Sequence, residues 1–569
     1  MRSPNTLSRF WFLYAGILLI AAISIWRLFS LQILQGEEYR VAAERQYVRP
    51  AGGVFDRGSI FLSKKDGTLV SAATTARGAS VTANGTKLGD TAAVYTALAS
   101  IIPLERQEFE KKIADRTDTY IELASKIPEE DVPTIKRLEI PGISLEEDRW
   151  RVYPGGKLAA HTVGFVGYDG DKLTGRYGLE RYYNDVLARR GDTQINFFAE
   201  MFGELTSVVF ERKPREGDIV TTIEPTVQAS LEESLGKIWE EWQPEHAGAI
   251  VMNPKNGEIY AMAALPRFDL NNFRNERDAS IFGNPLVENV YEMGSTVKPL
   301  IMAAGLDAGV VTAKTTFDDK GVVVINGAHI KNYDGKARGV VPMQEVLNQS
   351  LNTGMAFVAQ RLGNERVRDY LLGYGLGEET GIDLPNEVHG IVDNLESPRD
   401  IEYATASFGQ GIAMTPIEIT RALASLGNGG YLVNPHLVKE VKYSIGPSTV
   451  VMPNPSKRIL KQETSEEITR MLVTVVDDAL AGGKVKLENH SIAAKTGTAQ
   501  IARADGKGYY DDRYLHSFFG YFPAYDPQFV VFYYQVYPKG ARYASETLTK
   551  PFMDTTKFLL NYYQVPPDR

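Results

Sequence analysis

Not one of the 569 residues is a cysteine. That excludes disulfides, thiolate catalysis, cysteine-ligated zinc and a lipidated-cysteine anchor together. It names no compartment, because a long chain builds a core without staples. The seven histidines show no H-E-x-x-H or comparable ligand spacing. Neither a metal nor another cofactor is therefore expected. Positive charge is also short: the formal net charge is −9, whereas a dedicated nucleic-acid binder is usually basic. Repeats and low-complexity tracts are missing as well. What remains is an ordinary globular composition, 43% hydrophobic and 23% charged. The length exceeds one ordinary domain, so two or three folded units are expected.

A long apolar run occurs once. Phe10 to Trp26 carries no formal charge, and with Arg27 snorkelling the apolar character continues to Leu34. About 25 positions suffice to cross a hydrocarbon core of roughly 30 Å. Arg2 and Arg9 precede the run and no acidic residue comes before Glu37, which keeps residues 1–9 cytoplasmic. A cleaved signal peptide would need a shorter run and small residues at its end, and LFSLQILQGEEY offers no such site. Residues 10–34 are thus expected to be a single transmembrane helix, with everything beyond them outside the cytoplasmic membrane.

Residues 35–225 form a mixed region with no catalytic constellation. Gln107–Ile140 has helical spacing, as in EFEKKIADR and DVPTIKRLEI, while Ala79–Thr82 and Ser207–Phe210 look like short strands. Residues 226–569 read as one larger domain. Ile223–Trp242 predicts a helix with Pro225 near its start. AGAIVMNPKNGEIYAMAA predicts two strands joined at Pro254–Gly257. SFFGYFPAYDPQFVVFYYQVYP predicts two more, with a turn at Ala524–Gln528, and Lys550–Gln564 a closing helix. An antiparallel sheet built from both ends of the domain and flanked by helices is an α+β layout.

Three short elements in this domain carry chemistry. Ser295-Thr296-Val297-Lys298 puts a hydroxyl and an amine one helical turn apart on the same face. A serine needs a base within hydrogen-bond reach, and a lysine serves only when burial or a neighbouring cation lowers its pKa. Alone the pattern is weak: roughly two S-x-x-K matches arise by chance in a chain this long. Ser234-Leu235-Gly236-Lys237 is the other, read as helix surface. Ser350-Leu351-Asn352 supplies a hydroxyl and an amide suited to relaying a proton and holding a substrate amide, or else a mere helix cap or loop. Lys495-Thr496-Gly497-Thr498 follows an apolar run with β-branched neighbours. As an edge strand it would let a substrate backbone pair alongside, with lysine charge and threonine hydroxyls for a carboxylate; as an ordinary turn it would do neither.

In this order the three elements resemble those of serine enzymes that handle acyl-D-Ala-D-Ala and penicillin. Over nearly its whole length the chain resembles the class B penicillin-binding proteins. Arg57-Gly58-Ser59-Ile60 is similar to that family's R-G-x-I element. Arg151-Val152-Tyr153-Pro154 and Gly178-Leu179-Glu180 resemble the R-x-Y-P and G-L-E elements of its non-catalytic pedestal. AGAIVMNPKNGEIYAMAALPRFDLNNF looks like the opening of the transpeptidase domain, and Ala406–Gly430 like its F-G-Q-G-x-x-x-T-P segment. Met293 stands where proline is usual, and Lys64-Lys65 interrupts the common D-R-N-G.

The resemblance implies a membrane-anchored peptidoglycan D,D-transpeptidase with Ser295 as nucleophile and Lys298 as base. It implies that Ser350, hydrogen-bonded with Lys298 and Lys495, passes a proton to the leaving amine, with Asn352 on the donor amide and Thr496, Gly497 and Thr498 at the substrate. Expected partners are stem peptides as donor and amine acceptor, β-lactams, a membrane-embedded glycan polymerase and division-complex proteins, and no nucleic acid. The wording of the F-G-Q-G segment and the absence of long pedestal insertions favour a septal over an elongation role. A β-lactamase would leave the anchor and pedestal unexplained. A D,D-carboxypeptidase would use water as acceptor. A decayed scaffold would be expected to have lost one of these side chains.

Overall fold

The computed structural model describes residues 56–170, 172–189, 215–451, 457–503, 506 and 508–569. The expected anchor at residues 10–34 and the strand at Ser207–Phe210 lie outside them. Among the described residues no helix is long and apolar enough to cross a membrane. The elements below belong to the compact unit formed by Phe55–Gly167 and Thr174–Arg569.

The catalytic region is organised by a five-stranded antiparallel sheet. Its order is Ala493–Ala502, Tyr509–Phe522, Phe529–Val536, His246–Met252, Ile259–Leu265, so both ends of the domain meet in one sheet. The central strand Phe529–Val536 is buried at every position. A strand covered on both faces reads as a continuous apolar run rather than an alternation, which explains FVVFYYQV. One face packs on helix Pro225–Trp242, through Val227, Leu231, Leu235 and Ile238, and on helix Thr549–Tyr562, through Phe552 and Leu559. Their 3–4 spacing makes the apolar stripe that the sheet covers, each such side chain contributing about 1.5–3 kcal/mol when fully buried. The other face packs on the helical centre of the domain, including Leu300, Met355, Ile419 and Leu472. Helix Pro225–Trp242 begins with Pro225 in its first turn and with the Glu224 carboxylate accepting from Val227 N at 2.7 Å, as a helix start requires.

The pedestal is built on a second sheet. Its path runs Thr449–Val450, Val438–Tyr443, Gly217–Thr221, Ile60–Ser63, Leu69–Ala83, Ile121–Pro128, with Ile143–Val152 also on Leu69–Ala83. Strand Val438–Tyr443 comes from far down the chain and pairs antiparallel with Gly217–Thr221. The sheet therefore includes residues from both sides of position 225. Over Gln107–Ile140 the helical reading needs correction. Helices Arg106–Lys112 and Val132–Lys136 flank a strand, Ile121–Pro128. There Ile121 and Leu123 share the buried face and Glu122 is only half-buried, a period of two that wins over the helical neighbours.

The three pedestal motifs converge on one buried carboxylate. Glu180 is 0% exposed. Its Oε2 accepts from Arg57 Nε at 2.6 Å and its Oε1 from Arg151 Nε at 2.6 Å and Tyr153 Oη at 3.3 Å. Arg57 also reaches Glu180 O at 2.7 Å and Asn184 Oδ1 at 3.0 Å, while Arg151 reaches Gly58 O at 2.8 Å. Burial, then the Glu180 charge, pushes the Tyr153 phenol well above its ordinary value, so it stays a donor.

Candidate active site

The edge of the five-stranded sheet, the start of one helix and the start of another meet at a cleft of ≈ 800 Å³ lined by Ser295, Ser350, Asn352, Lys495, Thr496 and Thr498. Ser295 sits in the 3₁₀ turn Gly294–Thr296, which feeds helix Lys298–Asp307. Gly294 has φ +59°, and its N–H donates to Gly409 O at 3.1 Å. A Cβ on Gly409, itself at φ +79°, would lie 2.2 Å from Gly294 O. The F-G-Q-G segment thus braces the Ser295 turn from behind, and the brace needs glycine on both sides. Glu292 adds to it by accepting from Gly411 N at 3.0 Å and Tyr509 Oη at 2.9 Å. Burial raises the Glu292 pKa.

Lys298 is 1% exposed. Its Nζ donates to Ser350 O at 2.6 Å, Ser350 Oγ at 3.1 Å and Asn352 Oδ1 at 2.7 Å. Lys495 Nζ approaches the same hydroxyl from the other side, donating to Ser350 Oγ at 3.0 Å and to Thr496 O at 3.1 Å. Ser350 holds this position with φ +56°, a left-handed conformation that a non-glycine residue adopts at a cost and that recurs at functional sites. Among the described residues neither lysine forms an ion pair. Burial, and secondarily the Lys495 charge, holds the Lys298 amine well below the lysine range; burial brings Lys495 down to about 8. The expected hydrogen bond between Ser295 and Lys298 is not formed. Among the described residues Ser295 Oγ has no partner, and the Lys298 amine is turned onto Ser350 and Asn352.

Gly497 carries a packing requirement beside any role at the substrate. A Cβ there would lie 2.4 Å from Ser517 Oγ and 2.7 Å from Met293 O, so the strand can press onto the Ser295 turn only without a side chain. Ala493–Ala502 is an edge strand, paired on one side with Tyr509–Phe522. Its other edge presents backbone groups to an extended ligand. The second S-x-x-K match stays on the helix surface, where Lys237 pairs with Glu233 at 2.7 Å and both are mostly exposed.

Sequence reasoning missed the support behind Asn352. Asn352 Nδ2 donates to Lys331 O at 3.0 Å, which turns Oδ1 toward Lys298. The next residue, Asn332, donates to Asp319 at 2.9 Å, and Thr353 Oγ1 donates to Asp319 at 2.8 Å. Asp319, 1% exposed, also accepts from the N–H groups of Gly321 and Arg338. The one signal in the sequence was the turn-rich run KNYDG, which says nothing of its partner thirteen residues earlier.

Known proteins resemble this chain over both of its domains. Residues 247–555 match the penicillin binding protein transpeptidase domain, and residues 56–222 the penicillin-binding protein dimerisation domain. Stage V sporulation protein D of Bacillus subtilis is 33% identical over 466 residues, covering 80% of this chain and 71% of that protein. The peptidoglycan D,D-transpeptidase FtsI of Buchnera aphidicola is 28% identical over 485 residues, covering 83% and 81%. The crystal structure of penicillin binding protein 3 from Mycobacterium tuberculosis, complexed with aztreonam, has the same fold, with a TM-score of 0.69 at 24% identity, covering 91% of this chain and 98% of that one. The chain belongs to the penicillin-binding protein transpeptidase family. With a dimerisation domain ahead of the transpeptidase domain, it is of class B.

Proposed function

We propose that the chain cross-links peptidoglycan stem peptides through an acyl-enzyme on Ser295. The observation that carries this reading is the buried amine of Lys298 meeting Ser350 and Asn352 beside Ser295, with Lys495 on the same Ser350 hydroxyl. Lys298, its pKa lowered, takes the Ser295 proton once its unprotonated amine turns from Ser350 and Asn352 to Ser295. Ser295 Oγ bonds to the carbonyl carbon of the penultimate D-alanine. The C–N bond to the terminal D-alanine breaks, and its nitrogen takes a proton through Ser350. Backbone N–H groups of Ser295 and Thr498 hold the oxyanion, each donor worth about 3–4 kcal/mol. Asn352 has a second amide proton beyond the one on Lys331 O, and offers it to the donor amide. Lys495, Thr496 and Thr498 hold the terminal carboxylate, with Gly497 keeping the strand close. An amine from a neighbouring stem then attacks the ester and releases Ser295. A β-lactam follows the first half and stops there.

The division role rests on the F-G-Q-G-I-A-M-T-P wording of residues 408–416 and on relatives named FtsI. The single-pass anchor rests on Phe10–Leu34 with Arg2 and Arg9 before it. Pedestal and anchor together suit docking to a membrane-embedded glycan polymerase and division-complex proteins, since a transpeptidase without a polymerase needs strands made elsewhere. A donor–acceptor assay tests the reaction. A stem pentapeptide with a labelled amine acceptor should yield labelled cross-linked product. Release of D-alanine without label incorporation would instead make the protein a carboxypeptidase.

A further inference from the structure

One buried imidazole has no part in the mechanism above. His516 is 0% exposed in strand Tyr509–Phe522, directly opposite Thr498 of the neighbouring edge strand. A buried imidazole is costly unless its nitrogens find partners. Both of its nitrogens are engaged, Nδ1 with Thr547 Oγ1 at 2.8 Å and Nε2 with Arg542 O at 3.1 Å. A carbonyl only accepts, so Nε2 carries the proton and Nδ1 accepts from the Thr547 hydroxyl. Burial holds the ring pKa near 4, so this neutral tautomer persists at working pH.

The two partners bracket one short segment. Arg542, Tyr543 and Ser545 form a wall of the catalytic cleft. Between the bracketed ends, Ala544 N donates to Thr498 Oγ1 at 3.0 Å. With an acceptor site of that hydroxyl filled by a fixed amide, its own proton must point elsewhere. Among the described residues it has no acceptor, and Thr498 lines the cleft.

We propose that His516 is a positioning residue for carboxylate recognition: by clamping both ends of Arg542–Thr547 it fixes the Ala544 amide, which turns the Thr498 hydroxyl into a donor aimed at the substrate's terminal carboxylate. This rests on the acyl-transfer reading given above. The hydroxyl contributes to binding before chemistry begins, so its loss raises KM rather than lowering kcat.

The test uses two acyl-D-alanyl thioesters, one ending in a free carboxylate and one in its methyl ester, on the full chain. For His516→Leu, KM for the free acid should rise about tenfold, the loss of one hydrogen bond to a charged group. Values for kcat, and for the ester throughout, should change less than about threefold on the same principle. His516→Gln, which keeps one donor and one acceptor, should recover most of the discrimination. An equal loss on both thioesters, a loss confined to kcat, or no change would overturn the proposal. Thr547→Val removes one clamp bond without changing shape, and decides the matter by the same split if the leucine variant does not fold. If the wild-type protein is acylated without preferring the acid the proposal falls, and if it is not acylated at all the acyl-transfer reading fails instead.

Discussion

In the pedestal, Arg57 and Arg151 lie on the Glu180 carboxylate; in the cleft, Lys298 and Lys495 share a serine hydroxyl and find no carboxylate among the described residues. Both regions bury two cations, with opposite consequences. Where a buried cation meets an anion, the charges stay and the pair fixes geometry. Where it meets only neutral acceptors, desolvation goes uncompensated and lowers the pKa, as it does for both lysines. The pedestal thus uses burial to lock three distant chain segments, and the cleft uses it to favour the unprotonated form of an amine. Choosing guanidinium for one and ammonium for the other fits this division, since Arg does not deprotonate in proteins and Lys does.

The largest effect that could break the comparison comes from exchanging the cations. Lys298→Arg keeps bulk and hydrogen-bond donors but supplies no base, and β-lactam acylation should fall by about 10²–10⁴; stopped-flow labelling with fluorescent penicillin measures it, and a near-normal rate would refute the base role. Next comes Glu180→Gln, which leaves two arginines on a neutral amide. It should cost about 3–5 kcal/mol in denaturant unfolding, while molecules that remain folded keep their acylation rate.

The pH profile sharpens the contrast further. Lys495 loses its proton as pH rises through about 8, and with it the charge to which the proposed mechanism gives the carboxylate. Acylation should therefore decline above that pH, approaching tenfold per unit. Lys495→Arg should move the decline to higher pH, because its charge persists. The smallest effect is on stability. Lys298→Met removes an amine that burial penalises but leaves its acceptors on Ser350 and Asn352 without a donor, so the melting temperature should shift by less than about 4 °C in calorimetry, although acylation is lost.

Much of the catalytic domain could be read from local pattern. The strands around Asn256-Gly257, the helix behind Pro225 and the ordered motifs at Ser295, Ser350 and Lys495 are all local signals, and the three motifs line one cleft. What stayed hidden depends on long-range pairing. Nothing near Val438–Tyr443 says that it joins a sheet with Ile60–Ser63. Glu180 was visible as part of a family element, but not as the meeting point of Arg57 and Arg151, 123 and 29 residues away. Asp319 resembles any acidic turn residue until its partners on Asn332 and Thr353 are seen. His516 did leave a trace, as a polar residue inside the run YLHSFFGYF, where an alternating edge strand would not be so apolar around it.

The central claim is that Ser295 carries the acyl group. Mass spectrometry of the intact protein after brief exposure to a β-lactam tests it most directly, with peptide mapping of the adduct and Ser295→Ala beside it. The account predicts one adduct of the drug's mass on the peptide containing Ser295, stable over the measurement and absent from the alanine variant. An adduct on another residue, an adduct that survives Ser295→Ala, or rapid hydrolysis of the drug with no adduct retained would contradict it.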